Sequence, residues 1–495
     1  MNTRRAAAGI AGAAGIIAVT TLLSRIVGVG RIFVFADAVR ARGVGEIYQS
    51  VNALPNVLFE VAAGGILAAV AVPLISHSLG AGDRERADRI ASVLLTWALA
   101  LLVPASLVLF VAAPALAALM VDDFDPQAHE VGATLLRIFA IQVPLYGVGI
   151  ILAGLLQAHR RFLMAALAPL LSSVVVLVSY LWYGSITGGE TAPSRVSDAA
   201  LAVLGWGTTL GVVALSLPLI VPALRTGWRW RPSLRLEADD SRRIRSLAGA
   251  GVLALLAQQA AVLATVWLTN HSGDRGAFPV YQYVQAVYVL PYAVLAVPVA
   301  TSAFPALASR TGAGHDVSVT LARALRAVLV LTGLAVGVLL AAAPAVGAFF
   351  QLLDARRGAE GASPEALSAM SGALMTYAPG LIGFGMTALL TRALYVRGRP
   401  LYAAAAVALG WLVAILPLAL LGPDQGPSAT LRALGVASSL GMTISGVILA
   451  LLVRRAWGRE ATQGAARTLG VLVVAAAAAL AVGVVVTHGL SLIHI

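Results

Sequence analysis

Apolar residues gather into long runs with few charges along the whole chain, separated by short polar stretches. A helix crosses a bilayer with about 20 residues at 1.5 Å rise. Thirteen runs meet that length, near residues 8–36, 46–76, 88–119, 130–156, 162–184, 198–223, 246–269, 277–309, 318–350, 367–391, 401–422, 431–453 and 468–488. The pattern predicts an all-α polytopic membrane protein. The start, Arg4 and Arg5 before an apolar run, resembles a secretory signal, but the run continues through Ser24-Arg25 toward Asp37 and joins a multispan body. It reads as the first span, since a signal h-region is only about 7–15 residues.

Composition agrees. Of 495 residues, 59% are hydrophobic and 11% charged, and mean hydropathy is +0.90. Soluble domains carry about 25% charged residues. There is no cysteine, which removes disulfides, thiolate metal sites and thiol catalysis. All 34 basic residues are arginine, so a phosphate-loop lysine, a kinase lysine and a lysine Schiff base are absent too. The seven histidines, His77, His129, His159, His271, His315, His488 and His494, stand singly without metal-ligand spacing. No enzyme chemistry and no cofactor are predicted.

The net charge of +12 lies in loops and forms no basic domain, so nucleic acid is not an expected partner. Arg84, Arg86, Arg89, Arg160, Arg161, Arg310, Arg392, Arg397 and Arg399 fall on one side of the predicted topology, joined by seven arginines within 224–245. The opposite loops hold fewer, and one of them is acidic, with Asp122, Asp123, Asp125 and Glu130. The positive-inside rule therefore places the N-terminus in the cytoplasm.

The chain also repeats itself. Pro73 to Asp83 matches Pro305 to His315 at an offset of 232, with Pro, Gly, Ala and Gly in register. Leu156 to Arg161 matches Leu394 to Arg399 at an offset of 238. An even number of spans per repeat gives both halves one orientation, with substrate expected between them. The predicted organisation is an N-terminal lobe at 1–223, a cytoplasmic linker at 224–245, a C-terminal lobe at 246–453 and a further span within 454–489. Residues 490–495 read as a translated sequencing adapter, a non-native tail.

Four ionisable residues in the first two spans stand out: Arg25, Arg31, Glu46 and Glu60. A charge at mid-bilayer costs about 2.5–3.5 kcal/mol on insertion scales, so such residues mark substrate paths by default. Guanidinium holds phosphate oxygens bidentately without losing its charge. Arg25 and Arg31 are therefore candidate anchors for an anionic headgroup, although Arg31, near a span end, is also placed to snorkel. Gly28 and Gly30 between them permit a bend, or serve close helix packing. Glu46 and Glu60 are fourteen residues apart and share a helix face, where they offset the arginines. Pro55 predicts a hinge near Asn52 to Asn56. Arg137, in the fourth span, either contacts cargo, snorkels or pairs with Glu130. Gln258, Gln259, Gln282 and Gln285 give the second half neutral hydrogen-bonding groups.

Ser24 to Arg31, Leu54-Pro-Asn56, Gly64-Gly65 and Pro73 resemble the opening of the MurJ (MviN) lipid II flippases, a family of the multidrug/oligosaccharidyl-lipid/polysaccharide exporter superfamily, in an actinobacterial-type form. Leu135 to Ile138, Gln157 to Phe162 with Ala168-Pro169, and Arg392 to Pro400 extend the likeness. The resemblance implies two parallel six-helix lobes around a central cavity plus two C-terminal helices, fourteen spans against thirteen counted. It also implies a flippase in the bacterial cytoplasmic membrane that serves peptidoglycan biosynthesis. The expected partners are undecaprenyl-pyrophosphate-linked peptidoglycan precursor, membrane lipids and cell-wall synthesis or division proteins. There are departures: Phe59 and Glu60 stand where relatives commonly carry two arginines, and Ala286 where arginine is common. These keep two alternatives open, an exporter of another polyprenyl-linked glycan or small molecule, and a non-transporting membrane scaffold.

Overall fold

The computed structural model describes residues 20, 23–24, 26–28, 30–61, 74–76, 78–80, 82–159, 161–235, 238–272, 276–296, 299, 318–355, 364–421, 425–472 and 474. Arg25, Gly64-Gly65, Pro73 and the Pro305–His315 copy of the first repeat lie outside them. So do Arg4 and Arg5, most of the predicted spans 8–36 and 468–488, and the tail 490–495. The described residues form two compact units, those up to Leu255 and those from Leu256 onward.

The first unit opens with a π-helical turn, Phe35–Val39, followed by α1 (Val44–Glu60), α2 (Arg84–Val111), α3 (Ala113–Met120), α4 (Ala128–Ala140), α5 (Gln142–Ala158), α6 (Phe162–Thr187) and α7 (Asp198–Ser216). A 3-10 turn, Leu217–Leu219, leads into the short α8 (Ile220–Leu224). Local chemistry sets the boundaries. The Asp83 carboxylate accepts from the Arg86 amide at 2.9 Å and caps α2, while Ser197 caps α7 through the Ala200 amide. Gly188, at φ 59°, closes α6 in the left-handed region.

The helix α9 (Ala238–Ser272) runs from the first unit into the second at Leu256, and the second unit continues with α10 (Ala277–Pro291) with a π-helical turn at Tyr292–Ala296, α11 (Ser318–Ala355), α12 (Pro364–Tyr377), α13 (Gly380–Val396), α14 (Pro400–Ala414), α15 (Leu416–Leu420) and α16 (Pro427–Trp457). Among the described residues seven helices are long and apolar enough to cross a membrane, and an eighth span results if α12 and α13, bent by 50°, are taken together.

These helices are apolar on both faces, as a lipid environment requires. α2 buries Ala91, Leu94, Ala98 and Leu102 against its neighbours while Leu101, Leu107 and Val111 stay more than 60% exposed. Among helices, small residues permit backbone contact where lipid removes any hydrophobic drive for association. A Cβ on Gly410 of α14 would lie 2.7 Å from the Gly441 carbonyl oxygen of α16, and one on Gly441 would strike the Gly410 carbonyl. Gly383 of α13 meets the α16 backbone at Met442 and Thr443 in the same way.

The loop repeat at offset 238 has a structural counterpart. The Arg161 amide donates to the Leu156 carbonyl at 2.8 Å, and the Arg399 amide to the Leu394 carbonyl at 2.9 Å. Each arginine is the residue immediately before a helix, α6 and α14 respectively.

Residues 224–245 are not a plain linker: 225–235 run as a strap on α2, and the stretch from Ala238 already belongs to α9. Three indoles fasten the strap. Trp228 Nε1 donates to Ser92 Oγ at 3.2 Å, Trp230 Nε1 to Thr96 Oγ1 at 3.2 Å, and Trp97 Nε1 to the Leu234 carbonyl at 3.1 Å. The Arg231 amide also donates to Ser92 Oγ, at 3.3 Å. In Ser92→Ala the Arg231 amide loses this partner, at about 1–3 kcal/mol if left unsatisfied, while Trp228 Nε1 keeps the Asp88 carbonyl at 3.3 Å. Limited trypsin digestion should then cut after the exposed Arg229 or Arg235 about tenfold faster than in the parent. An unchanged rate would mean that Ser92 does not hold the strap.

Candidate functional site

In the first unit, side chains that look unremarkable one by one in apolar spans join into two polar ladders. In one, the Tyr48 hydroxyl of α1 hydrogen-bonds the Tyr180 hydroxyl of α6 at 2.8 Å and Thr208 Oγ1 of α7 at 3.0 Å. Thr208 itself donates to the Leu204 carbonyl at 2.7 Å. In the other, Gln142 Nε2 of α5 donates to Thr209 Oγ1 at 2.9 Å. The Tyr146 hydroxyl lies 3.3 Å from the Gln142 Oε1 and 3.4 Å from Asn56 Oδ1, and donates to these acceptors. Thr208 and Thr209 are neighbours on α7, so the ladders share one helix.

Aromatic rings frame the first ladder. Phe35 packs edge-on against Tyr180 at 5.3 Å and Phe139 edge-on against Tyr48 at 5.5 Å. Phe59 packs on Tyr146 at 4.4 Å between ring centres. Such offset and edge arrangements suit the ring quadrupoles.

Arg31 lies within electrostatic reach of Tyr48, Tyr146 and Tyr180, and so of both ladders. It is half-buried, and among the described residues no carboxylate forms an ion pair with it. Gly28 and Gly30, on the same stretch of helix, have nothing within 4 Å of a built Cβ. Close packing therefore does not call for glycine at either position among the described residues. Nothing among the described residues fills the space that a Cβ on Gly28 or Gly30 would take.

The other predicted residues are distributed differently. Glu46 is buried, 6% exposed, in the first turn of α1, where a carboxylate suits the helix dipole. Glu60 is the last residue of that helix and is exposed. The fourteen-residue spacing does align their faces, yet it also sets them about 21 Å apart along the axis. Pro55 sits buried within α1, which stays helical through it, and Asn56 joins the second ladder. Arg137 is exposed on α4 beside the buried Leu135, Leu136 and Phe139, and no ion pair links it to Glu130. Arg25 lies outside the described residues.

A sequence reading had no reason to choose Tyr48, Tyr146, Tyr180, Gln142, Thr208 and Thr209. The available signal was weak: polar groups inside apolar spans, on separate helices. A buried cation was also missed. Arg40 is 9% exposed and adopts φ 74°, unusual for a non-glycine residue, with its guanidinium packed on Gly189 in the loop after α6.

In the second unit, α9, α10, α12, α13, α14 and α16 enclose a cavity of about 340 Å³. Gln258, Gln282 and Gln285 line it, whereas Gln259, 5% exposed, does not. No charged side chain is among its lining residues. Among the described residues no cluster of three or more histidine, aspartate or glutamate side chains is placed to hold a metal. Burial and the charges of Arg84 and Arg161, opposed by Asp88, hold the His159 ring below its ordinary titration range.

Two units of apolar helices, one with a half-buried cation within electrostatic reach of buried hydroxyl ladders, define a polytopic membrane-protein fold. That fold is shared with solved members of the multidrug/oligosaccharidyl-lipid/polysaccharide exporter superfamily. A lipid II flippase MurJ in an inward closed conformation superposes with a TM-score of 0.69 at 16% identity, over 95% of this chain and 98% of that one. An inward-facing multidrug resistance MATE family transporter gives 0.67 at 15% identity, over 90% of this chain and 95% of that one. The family model described as lipid II flippase MurJ matches residues 35–493, and the chain belongs to this family.

Curated relatives are more distant than the family match suggests. A probable lipid II flippase MurJ of Synechocystis sp. is 28% identical over 221 residues, 44% of this chain and 40% of the relative. One from Rhizobium meliloti is 26% identical over 313 residues, 60% of this chain and 54% of the relative. The lipid II flippase MurJ of Burkholderia cenocepacia is 24% identical over 396 residues, 76% of this chain and 71% of the relative. The chain thus spans about half the length of the first of these relatives or less.

Proposed function

We propose that the chain is a flippase for lipid-linked peptidoglycan precursor in the bacterial cytoplasmic membrane, N-terminus inside, working by alternating access. The pyrophosphate of the undecaprenyl-linked cargo is held at Arg31 while the polyprenyl tail remains in lipid. Family membership supports this reading, and one observation carries it: Arg31 is a half-buried cation that forms no ion pair with a carboxylate among the described residues and whose charge reaches the tyrosines of both hydroxyl ladders. An unpaired cation inside a membrane protein is costly. An anionic headgroup offsets that cost on every cycle, with bidentate geometry that guanidinium supplies and ammonium does not. Membrane potential assists, at about 2.3 kcal/mol per elementary charge per 100 mV.

The test is complementation of a bacterium depleted of its own lipid II flippase. Growth on the parent chain supports the assignment. Failure despite normal membrane insertion moves the cargo to another polyprenyl-linked glycan, a reading favoured by Phe59, Glu60 and Ala286 in place of arginines.

A further inference from the structure

The second-unit cavity has a different chemistry from the Arg31 site. Its polar lining is neutral: Gln258, Gln282 and Gln285 amides, the hydroxyls of Tyr281, Tyr288 and Tyr377, and Ser438. Aromatic faces accompany them, with Phe384 and Trp411 in the wall and Tyr377 centred 5.5 Å from Tyr288. Part of the polar lining is already satisfied internally: Tyr281 hydrogen-bonds Thr265, Tyr377 and Gln285. The Tyr288 hydroxyl is not. It is buried on a residue only 4% exposed and has no hydrogen-bond partner among the described residues. Gly380 keeps the space beside it, since a Cβ there would come within 3.3 Å of the Tyr288 oxygen.

A buried hydroxyl is normally paired, and an orphan one at a cavity wall calls for a ligand group or water. A volume of about 340 Å³ is within the range of small-molecule sites. Amides and phenols at several heights around aromatic faces match a polyhydroxylated ring, whose hydroxyls need donors and acceptors and whose C–H faces pack on aromatic rings. They do not match phosphate or a carboxylate, for which no cation is present in the wall. We propose that this cavity binds a neutral sugar moiety of the lipid-linked cargo, with Tyr288 and Gln285 as hydrogen-bonding groups. The assignment rests on the flippase reading and adds to it a subsite for the glycan, separate from the anchor for the pyrophosphate.

The experiment uses the full chain in nanodiscs and two probes: undecaprenyl pyrophosphate, and the same lipid bearing an N-acetylhexosamine disaccharide. Tyr288→Phe removes the hydroxyl while retaining ring volume, and Gln285→Leu removes the amide. Each should weaken binding of the sugar-bearing lipid by about fivefold to tenfold and leave the sugarless lipid unchanged. Quenching of Trp411 fluorescence by the soluble disaccharide N,N′-diacetylchitobiose, lost in Trp411→Phe, gives a second readout. Equal affinities of parent and variants for the sugar-bearing lipid, with the sugarless lipid still bound, overturn the glycan subsite and leave the flippase reading standing. Binding of neither lipid by the parent overturns both.

Discussion

Replacing Arg31 by glutamine should weaken binding of the proposed pyrophosphate cargo by about tenfold to a hundredfold, the range for losing hydrogen bonds to a charged group. Glutamine keeps length and some hydrogen bonding but not the charge. Arg31→Lys should recover only part of the loss, because ammonium is a point charge without the planar fork. The fold should tolerate both changes. Arg31 is half-buried and makes no ion pair among the described residues, and the ladders within its electrostatic reach are closed by their own hydroxyls. The measurement is titration of the purified variants with undecaprenyl pyrophosphate, beside membrane levels in the depleted strain. Parent-like affinity in Arg31→Gln would place the headgroup elsewhere, with Arg25 the next candidate.

Gly441→Leu should damage the second unit more than any comparable exchange on an open helix face. The site has no room: a Cβ on Gly441 already meets the Gly410 carbonyl, and the reciprocal Cβ on Gly410 would sit 2.7 Å from the Gly441 oxygen. Both obstacles are backbone, so neither yields by a rotamer change, and α14 must move off α16. Overpacking of this kind costs about 1–3 kcal/mol and at times more. The expected result is a melting temperature in detergent lower by about 5 °C or more, with reduced yield of folded protein. Gly337→Leu is the control, since Gly337 of α11 has nothing within 4 Å of a built Cβ. Equal melting of the two variants would show that the α14–α16 crossing does not depend on small residues.

Much of the architecture was legible because a membrane span advertises itself by length and hydropathy alone. The runs predicted near 130–156, 198–223, 318–350 and 431–453 correspond to helical spans at Ala128–Ala158, Asp198–Leu224, Ser318–Leu352 and Pro427–Trp457. The repeated loop was legible for a related reason: the same short turn needs the same residues, and Leu156 to Arg161 and Leu394 to Arg399 make the same backbone bond. Breaks within spans were less visible. α2 gives way to α3 at Ala112, and α12 meets α13 at a 50° bend. Hydropathy averages across such joints.

The proposed site was legible only where a charge betrayed it. Arg31 stands out in an apolar run, but Tyr48, Tyr180 and Thr208 do not, and their bonds join residues 132 and 160 positions apart. No local pattern reports on partners at that distance. Glu46 and Glu60 do lie on one helix, with Glu46 buried in its first turn and Glu60 exposed at its end, a difference that helical phase does not report. The linker shows the reverse case. Its tryptophans were conspicuous in the sequence, while the hydroxyls of Ser92 and Thr96 that receive them lie more than a hundred residues earlier.

Movement of a lipid-linked pyrophosphate across the membrane, as proposed for this chain, can be followed in a reconstituted system. Proteoliposomes containing the purified chain would be loaded with a fluorescent undecaprenyl-pyrophosphate-linked disaccharide precursor, and the fraction reached by an external membrane-impermeant modifier followed in time. Accessibility should rise from about half, the outer leaflet alone, toward completion with the parent chain and stay near half with Arg31→Gln. Accessibility fixed at half with folded parent protein would contradict the proposed movement.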